Sequence, residues 1–414
     1  MRSLRRRRGR GTGSGARGTR VSFTRVPVQP TSAACAHRSA HYRGAVTFSF
    51  DALRRSPDVE GPGLVAVDAA DRLILDESAD ARAGAHPERI VVIGDTHGAL
   101  TLGAADAGAR GIRVHQDALS GERALERNAE GVGLVGTFTR MPLSPELVRD
   151  AEVVLLRLPR SLDALADQAG LIAHYAAPGV RVFAGGRLKH MSRSMNEVLG
   201  RRFGVVEASL ARQKSRVLRA SAPREGADPV PARAEIDGLV VCAFGGAFAG
   251  ATIDIGTRLL LAHLPEQMPN HGVVIDFACG TGVVAAELAR RHPELSVIAT
   301  DQSAVAVASA RATAEANGVS ARVHVVRDDL LSAQPDGSAE MIALNPPFHS
   351  DAAVTSTLAP RFFREAGRVL RPGGELWTVW NSPLNYRGAL ERAVGPTRQV
   401  ARNAKFTVTV SVAR

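Results

Sequence analysis

The sequence is poor in the residues that would build a covalent or metal-bound framework. Its three cysteines, Cys35, Cys242 and Cys279, lie far apart and form no Cys-x-x-Cys pair. That argues against a zinc ribbon or a disulfide scaffold and fits a reducing cytoplasm. Aromatic residues make up only 4% of the chain. No apolar run approaches the length needed to cross a bilayer, so no membrane association is expected. Residues 1–45 lack Asp, Glu and Lys altogether and contain eleven Arg. This absence decides how the net charge of +11 is read: beyond residue 45 the chain carries 41 basic and 41 acidic side chains and is formally neutral. A nucleic-acid reading drawn from the overall charge therefore rests on the tail alone. The tail is rich in Arg, Gly and Ser, cannot bury a core, and is expected to be disordered. Three roles fit its composition: an arm that holds RNA phosphates, a transit peptide, or translated sequence upstream of the usual start with no role.

The length of 414 residues suits two or three domains, and the hydrophobic content of 45% suffices for ordinary globular cores. Short apolar runs that end in turns alternate with helical stretches, which predicts an α/β fold with parallel sheets. In the first half the strands are read at 89–95, 111–117, 151–159 and 179–186. The Pro- and Gly-rich stretch 221–233, "SAPREGADPVPAR", reads as an interdomain linker. The pattern then recurs, with strands at 272–277, 295–301, 322–330, 340–348, 374–380 and a final alternating strand at 404–413. A helix ends at Asn317-Gly318. Two halves of parallel layout imply a duplication. The expected organisation is a tail (1–45), a degenerate first domain (46–220), the linker, and a catalytic domain (234–414).

The chemistry concentrates in the second half. In "DFACGTG" (276–282) a strand enters a glycine turn that opens a helix. Such a turn lets a ligand approach the backbone and offers it N–H donors. Gly280 and Gly282 have no third glycine in register, so a dinucleotide cradle is poorly supported. An acid ahead of the turn, Asp276, suits a ligand with an ammonium group and a hydroxylated sugar. Asp301 closes the next strand and can accept both ribose hydroxyls; Asp329 closes the third and can accept an adenine amine. Each acid alone is also an ordinary turn or cap residue. Together they mark the crevice at the strand ends. After the fourth strand comes "NPPF" (345–348). The Asn345 side-chain oxygen and the Pro346 carbonyl can accept from a planar exocyclic amine. Pro347 stiffens the loop, and Phe348 can stack on the ring that carries the amine.

These motifs are similar to those of class I S-adenosylmethionine-dependent methyltransferases that methylate amino groups. With "TIDIGTRLLLAHLPE" (252–266), "VFAGGRLKHMSRSMNEVLGRRFG" (182–204) and "NAKFTVTVSVA" (403–413), the chain resembles the tandem-domain ribosomal RNA guanine-N2 methyltransferases, and the large-subunit branch more than the small-subunit one. The resemblance spans roughly residues 46–414. It implies two Rossmann-like domains, the first degenerate. It also implies S-adenosylmethionine held by Asp276, Ala278, Gly280, Gly282, Asp301 and Asp329, with Asp254, Gly256 and Thr257 flanking its methionine end. Asn345, Pro346, Pro347 and Phe348 would receive guanine. Ribosomal RNA, or an assembling ribosomal subunit, is the implied partner of a cytoplasmic monomer. The chain departs from the family at Ala249 and Gly250, where Ser-Arg often stands, and at Ala278, often glycine.

In the first half "LPR" (158–160) stands where Asn-Pro-Pro-Phe would, so that half is not expected to catalyse amine methylation. Positioning RNA or supporting the fold remain. Arg187, Lys189, His190, Arg193, Arg201 and Arg202 form a basic cluster there that reads as a solvated face or a phosphate contact. "GDTHG" (94–98) matches a metallophosphoesterase fragment, but the further ligands that two metals need are missing and no metal is expected. Cys279 reads as a small loop residue, not a nucleophile. Adenine N6 or a protein glutamine amide also presents a planar amine to such a loop, and a non-catalytic, cofactor-bound RNA or assembly factor is the alternative outside enzymes.

Overall fold

A computed structural model describes residues 48–268, 272–347 and 352–414; the Arg-rich residues 1–45, and the roles weighed for them, lie outside it. The described chain builds two seven-stranded mixed sheets. The first comprises β1 (Ile90–Ile93), β2 (Ile112–His115), β3 (Phe138–Arg140), β4 (Val153–Arg157), β5 (Arg181–Arg187), β6 (Phe203–Ala208) and β7 (Ser215–Pro223). A hairpin of β8 (Ala232–Ile236) and β9 (Leu239–Ala243) follows. The second sheet comprises β10 (Val273–Phe277), β11 (Val297–Asp301), β12 (Val323–Arg327), β13 (Ala339–Leu344), β14 (Leu370–Asn381), β15 (Thr397–Arg402) and β16 (Phe406–Val412).

Both sheets have the same order. The first runs β3-β2-β1-β4-β5-β7-β6 and the second β12-β11-β10-β13-β14-β16-β15, so the halves are two copies of one topology. In each, five parallel strands are closed by an antiparallel pair. The parallel strands read as continuous apolar runs because helices cover both faces; all of Ile90–Ile93 is buried. In each half the chain starts at a central strand and reverses direction across the sheet beside it. Ligand crevices form at such switch points, outside the carboxyl ends of the strands.

The structure corrects several boundaries. The proposed linker is shorter, because β7 runs to Pro223 and β8 begins at Ala232. The β8–β9 hairpin turns at Asp237-Gly238, both with positive φ (53° and 75°), the geometry that an Asp-Gly turn favours. Its β9 is fixed to the helix Ala304–Ala316 by Cys242 N–H donating to Thr313 Oγ1 at 3.0 Å. Asp329 does not close β12, which stops at Arg327; it lies in the loop beyond. β3, β6 and β15 carried no signal because they are short or exposed edge strands without an apolar run. Among the described residues no helix is long and apolar enough to cross a membrane.

Candidate active site

The second crevice is built on β10, β11, β12 and β13. Beyond β10 the backbone turns through Ala278 (φ 58°), Gly280 (φ 53°) and Gly282 (φ 74°). Gly282 has no room for a side chain: a Cβ there would come within 2.8 Å of the Ala310 Cβ. It thus lets the helices Val283–Arg291 and Ala304–Ala316 close together. At Gly280 a Cβ would meet nothing within 4 Å, so the turn faces open space. That space is a cavity of about 380 Å³, whose lining includes Ala278, Gly280, Asp301, Asp329, Asn345, Pro346 and Pro347.

The three acids are not equivalent. Asp276 is buried and accepts from Ala285 N–H at 3.0 Å; burial pushes its carboxyl up to about 7. Asp301 accepts from Gly280 N–H at 3.0 Å and Ser303 N–H at 2.9 Å, and burial pushes it up to about 6 despite these donors. Both are therefore poised to favour a ligand that brings positive charge or hydroxyl donors. Asp329 is also raised by burial, opposed by the Arg123 and Arg361 guanidiniums. Cys279 is buried and its thiol is pushed well above its ordinary value, which leaves it un-ionised and unsuited to attack.

Asn345 is held by a short network. Asp254 caps the helix Ile255–Leu261, accepting from Gly256 N–H at 2.8 Å and Thr257 N–H at 3.3 Å. The Thr257 hydroxyl donates to the same carboxylate. Asn345 Nδ2 donates to Asp254 Oδ2 at 3.1 Å and to Thr257 Oγ1 at 2.9 Å. A carboxylate only accepts, so the amide nitrogen must face Asp254 and the amide oxygen must point the other way. Gly256 allows this packing, since a Cβ there would lie 3.1 Å from Asp254 Oδ1 and 3.2 Å from the Phe406 ring. Phe348 lies outside the described residues. Among the described residues Phe277 and Phe406 line the cavity, together with Gln302, whose Oε1 is buried without a partner among the described residues. Sequence reading missed these three. Phe406 had been visible only as part of the closing strand.

The chain matches the family model of the methyltransferase small domain over residues 238–410 and that of the RLMG N-terminal domain over residues 45–224. It is 36% identical to the ribosomal RNA large subunit methyltransferase G of Streptomyces coelicolor, over 87% of this chain and 97% of that protein. The protein of the same name from Ectopseudomonas mendocina is 35% identical, over 86% and 96%. The chain belongs to the ribosomal RNA large subunit methyltransferase G family. It is an S-adenosylmethionine-dependent methyltransferase. A solved 16S rRNA guanine-N2 methyltransferase from T. thermophilus, in complex with AdoMet and guanosine, shares the fold. Its TM-score is 0.65 at 21% identity, over 86% of this chain and 97% of that one.

The family cofactor fits the second crevice. The cavity is within the usual range for small-molecule sites, roughly 300–1,000 Å³. The open face of Gly280, the raised acids and the Gln302 Oε1, which has no partner among the described residues, offer room and acceptors for its ammonium, hydroxyl and amine donors.

The first half lacks this chemistry, and strand register shows why. Ile93 pairs with His115 and Leu156; Phe277 pairs with Thr300 and Leu344. Val92 therefore stands for Asp276, Thr96 for Gly280, Gln116 for Asp301 and Arg157 for Asn345. In "GDTHG" both Asp95 oxygens cap the following helix, accepting from Gly98 N–H (3.0 Å) and Thr101 N–H (2.7 Å), and His97 Nε2 meets Asp58 at 3.0 Å. The fragment is a helix entry.

Proposed function

We propose that this chain transfers a methyl group from S-adenosylmethionine to the exocyclic N2 of a guanine in ribosomal RNA, that of the large subunit by the names of its relatives. The observation that carries the reading is the locked Asn345 amide. With Nδ2 committed to Asp254 and Thr257, Oδ1 is left as an acceptor beside the Pro346 carbonyl. When bound, S-adenosylmethionine supplies an electrophilic methyl group. Asn345 and Pro346 accept the two hydrogens of the target amine and draw its lone pair out of the ring. Much of the rate enhancement then comes from holding the amine in line. The methylated nitrogen is a strong acid and releases its proton to water, so no side-chain base is required. Asp276, Ala278, Gly280 and Gly282 shape the cofactor turn, Asp301 takes the ribose hydroxyls and Asp329 the adenine amine. Asp254 and Thr257 position Asn345, and Gly256 makes room for Phe406. Phe348 stacks on the guanine, which must leave its helix to reach the loop.

In this reading residues 46–220 help to position RNA. Arg160, Arg187 and Lys189 line a second cavity, at the carboxyl ends of the first sheet, that shares Asp58 and Asp117 with the first, and none of the three has an ion-pair partner among the described residues. They offer phosphate contacts in an otherwise neutral body. One cytoplasmic chain supplies every part of the site and acts as a monomer. The test is transfer from labelled cofactor to unmodified large- and small-subunit rRNA, followed by nucleoside mass spectrometry. N2-methylguanosine in large-subunit RNA is expected. N6-methyladenosine, or labelling of a protein glutamine instead of RNA, would overturn the substrate.

A further inference from the structure

The cofactor cavity is not confined to the catalytic half. Pro57, Asp58, Asp117, Ala118 and Ser120 of the first half also line it. The segment after β2 pairs antiparallel with its own counterpart after β11: Leu119 N–H donates to the Gln302 carbonyl at 3.0 Å and Ala304 N–H to the Asp117 carbonyl at 2.9 Å. Register makes Asp117 equivalent to Gln302 and Leu119 to Ala304, so exchanging the halves exchanges these two bonds. The Asp117 carboxylate accepts from Val305 N–H at 2.9 Å, in the first turn of the helix that follows Asp301. One helix turn further along the first half, Arg123 Nη1 reaches Asp329 Oδ2 at 3.3 Å and Nη2 reaches Ser332 Oγ at 3.1 Å. Arg361, from the catalytic half, ties the same wall down by donating to the Pro57 carbonyl at 3.2 Å.

From this arrangement we infer that the first half is part of the cofactor-binding site: Arg123 holds the Asp329 carboxylate as an oriented acceptor for the adenine amine, and the Asp117–Ser120 segment walls the adenosine end. The inference rests on Asp329 being the adenine-amine acceptor. Arg123 is a positioning residue, since it acts through Asp329. Asp329 is largely buried and flanked by Asp328 and Asp58. Without Arg123 it would lose the donor that fixes its orientation.

The experiment is calorimetric titration of the full chain with S-adenosylhomocysteine and with its inosine analogue, which lacks the adenine amine. The wild-type protein should prefer the adenosine compound. Arg123→Ala should weaken S-adenosylhomocysteine roughly tenfold or more, as expected for a hydrogen bond to a charged group, and should bring the two affinities together. Arg123→Lys should restore part of the preference. Ala118→Phe, which adds bulk at the wall without touching Asp329, should weaken both ligands while leaving the melting temperature of the ligand-free protein unchanged; it decides the matter if Arg123→Ala does not fold. Folded variants that bind both compounds like wild type would overturn the inference alone. A wild-type chain that binds S-adenosylhomocysteine but does not distinguish the analogue would overturn the assignment of Asp329, and one that binds neither would overturn the cofactor reading of the crevice; the inference falls with either.

Discussion

At the end of β13 the Asn345 amide is held by Asp254 and Thr257; at the equivalent end of β4 the Arg157 guanidinium is held by Asp68 and Asp71. The frames are the same. Asp68 caps the helix Ala69–Glu77 as Asp254 caps Ile255–Leu261, and Asp71 sits three residues along as Thr257 does. Arg157 Nη1 and Nη2 reach Asp68 Oδ1 and Oδ2 at 2.9 and 2.6 Å, and Nη1 also meets Asp71. In the catalytic half the frame leaves an acceptor over for a substrate. In the first half two carboxylates share one guanidinium, and an arginine has no lone pair to offer an amine. The two halves thus differ in catalytic equipment at a few side chains, while the scaffold under them is the same.

The largest effect is expected at the ionic frame of the first half. Arg157→Ala leaves two mostly buried carboxylates without a counter-charge, and should cost about 3–5 kcal/mol in denaturant unfolding. A loss under about 1 kcal/mol would mean that water answers those charges as well as the arginine does. Asn345→Ala should lower kcat by roughly 10²–10³, as removal of a preorganised polar contact at a reacting group does, while S-adenosylhomocysteine binding stays near wild type. A variant that keeps full methylation would sink the assignment of Asn345.

Thr257→Val probes the frame around Asn345 more gently. It removes one hydrogen-bond partner of the Asn345 amide with little change in shape, and should slow transfer roughly three- to tenfold without altering cofactor affinity. An affinity loss with kcat intact would return Thr257 to the methionine end of the cofactor, where the family resemblance had put it. The smallest effect concerns pH. The Asp276 and Asp301 carboxyls have folded values near 7 and 6, above those of an unfolded aspartate, because burial penalises their charge. The folded state therefore holds protons that the unfolded state releases. The pair costs the ligand-free protein stability progressively as pH rises from about 4 to 7. A cofactor that needs both ionised should bind more tightly over the top of that range. Titrations at pH 5.5, 6.5 and 7.5 should show rising affinity for S-adenosylhomocysteine; a flat profile would remove these two acids from the contact set.

Much of this was legible in the residues themselves. Apolar runs ending in turns revealed the buried parallel strands, because a strand covered on both faces must be apolar throughout. The glycine turn at 280–282, with the acids Asp276 and Asp301, and the Asn-Pro-Pro loop stood out because glycine permits and proline fixes backbone conformations that few other contexts need. The edge strands β3, β6 and β15 stayed invisible, since solvent on one side removes the apolar signal. Which partners each side chain keeps depends on the folded chain. That Asn345 turns its oxygen away from Asp254, that Arg157 fills the equivalent frame, and that Arg123 and Asp117 reach the other half's crevice all depend on contacts between residues distant along the chain. Hydrogen bonds of this kind are set by where the sheets and helices bring donors and acceptors together, and no local pattern in the sequence encodes them.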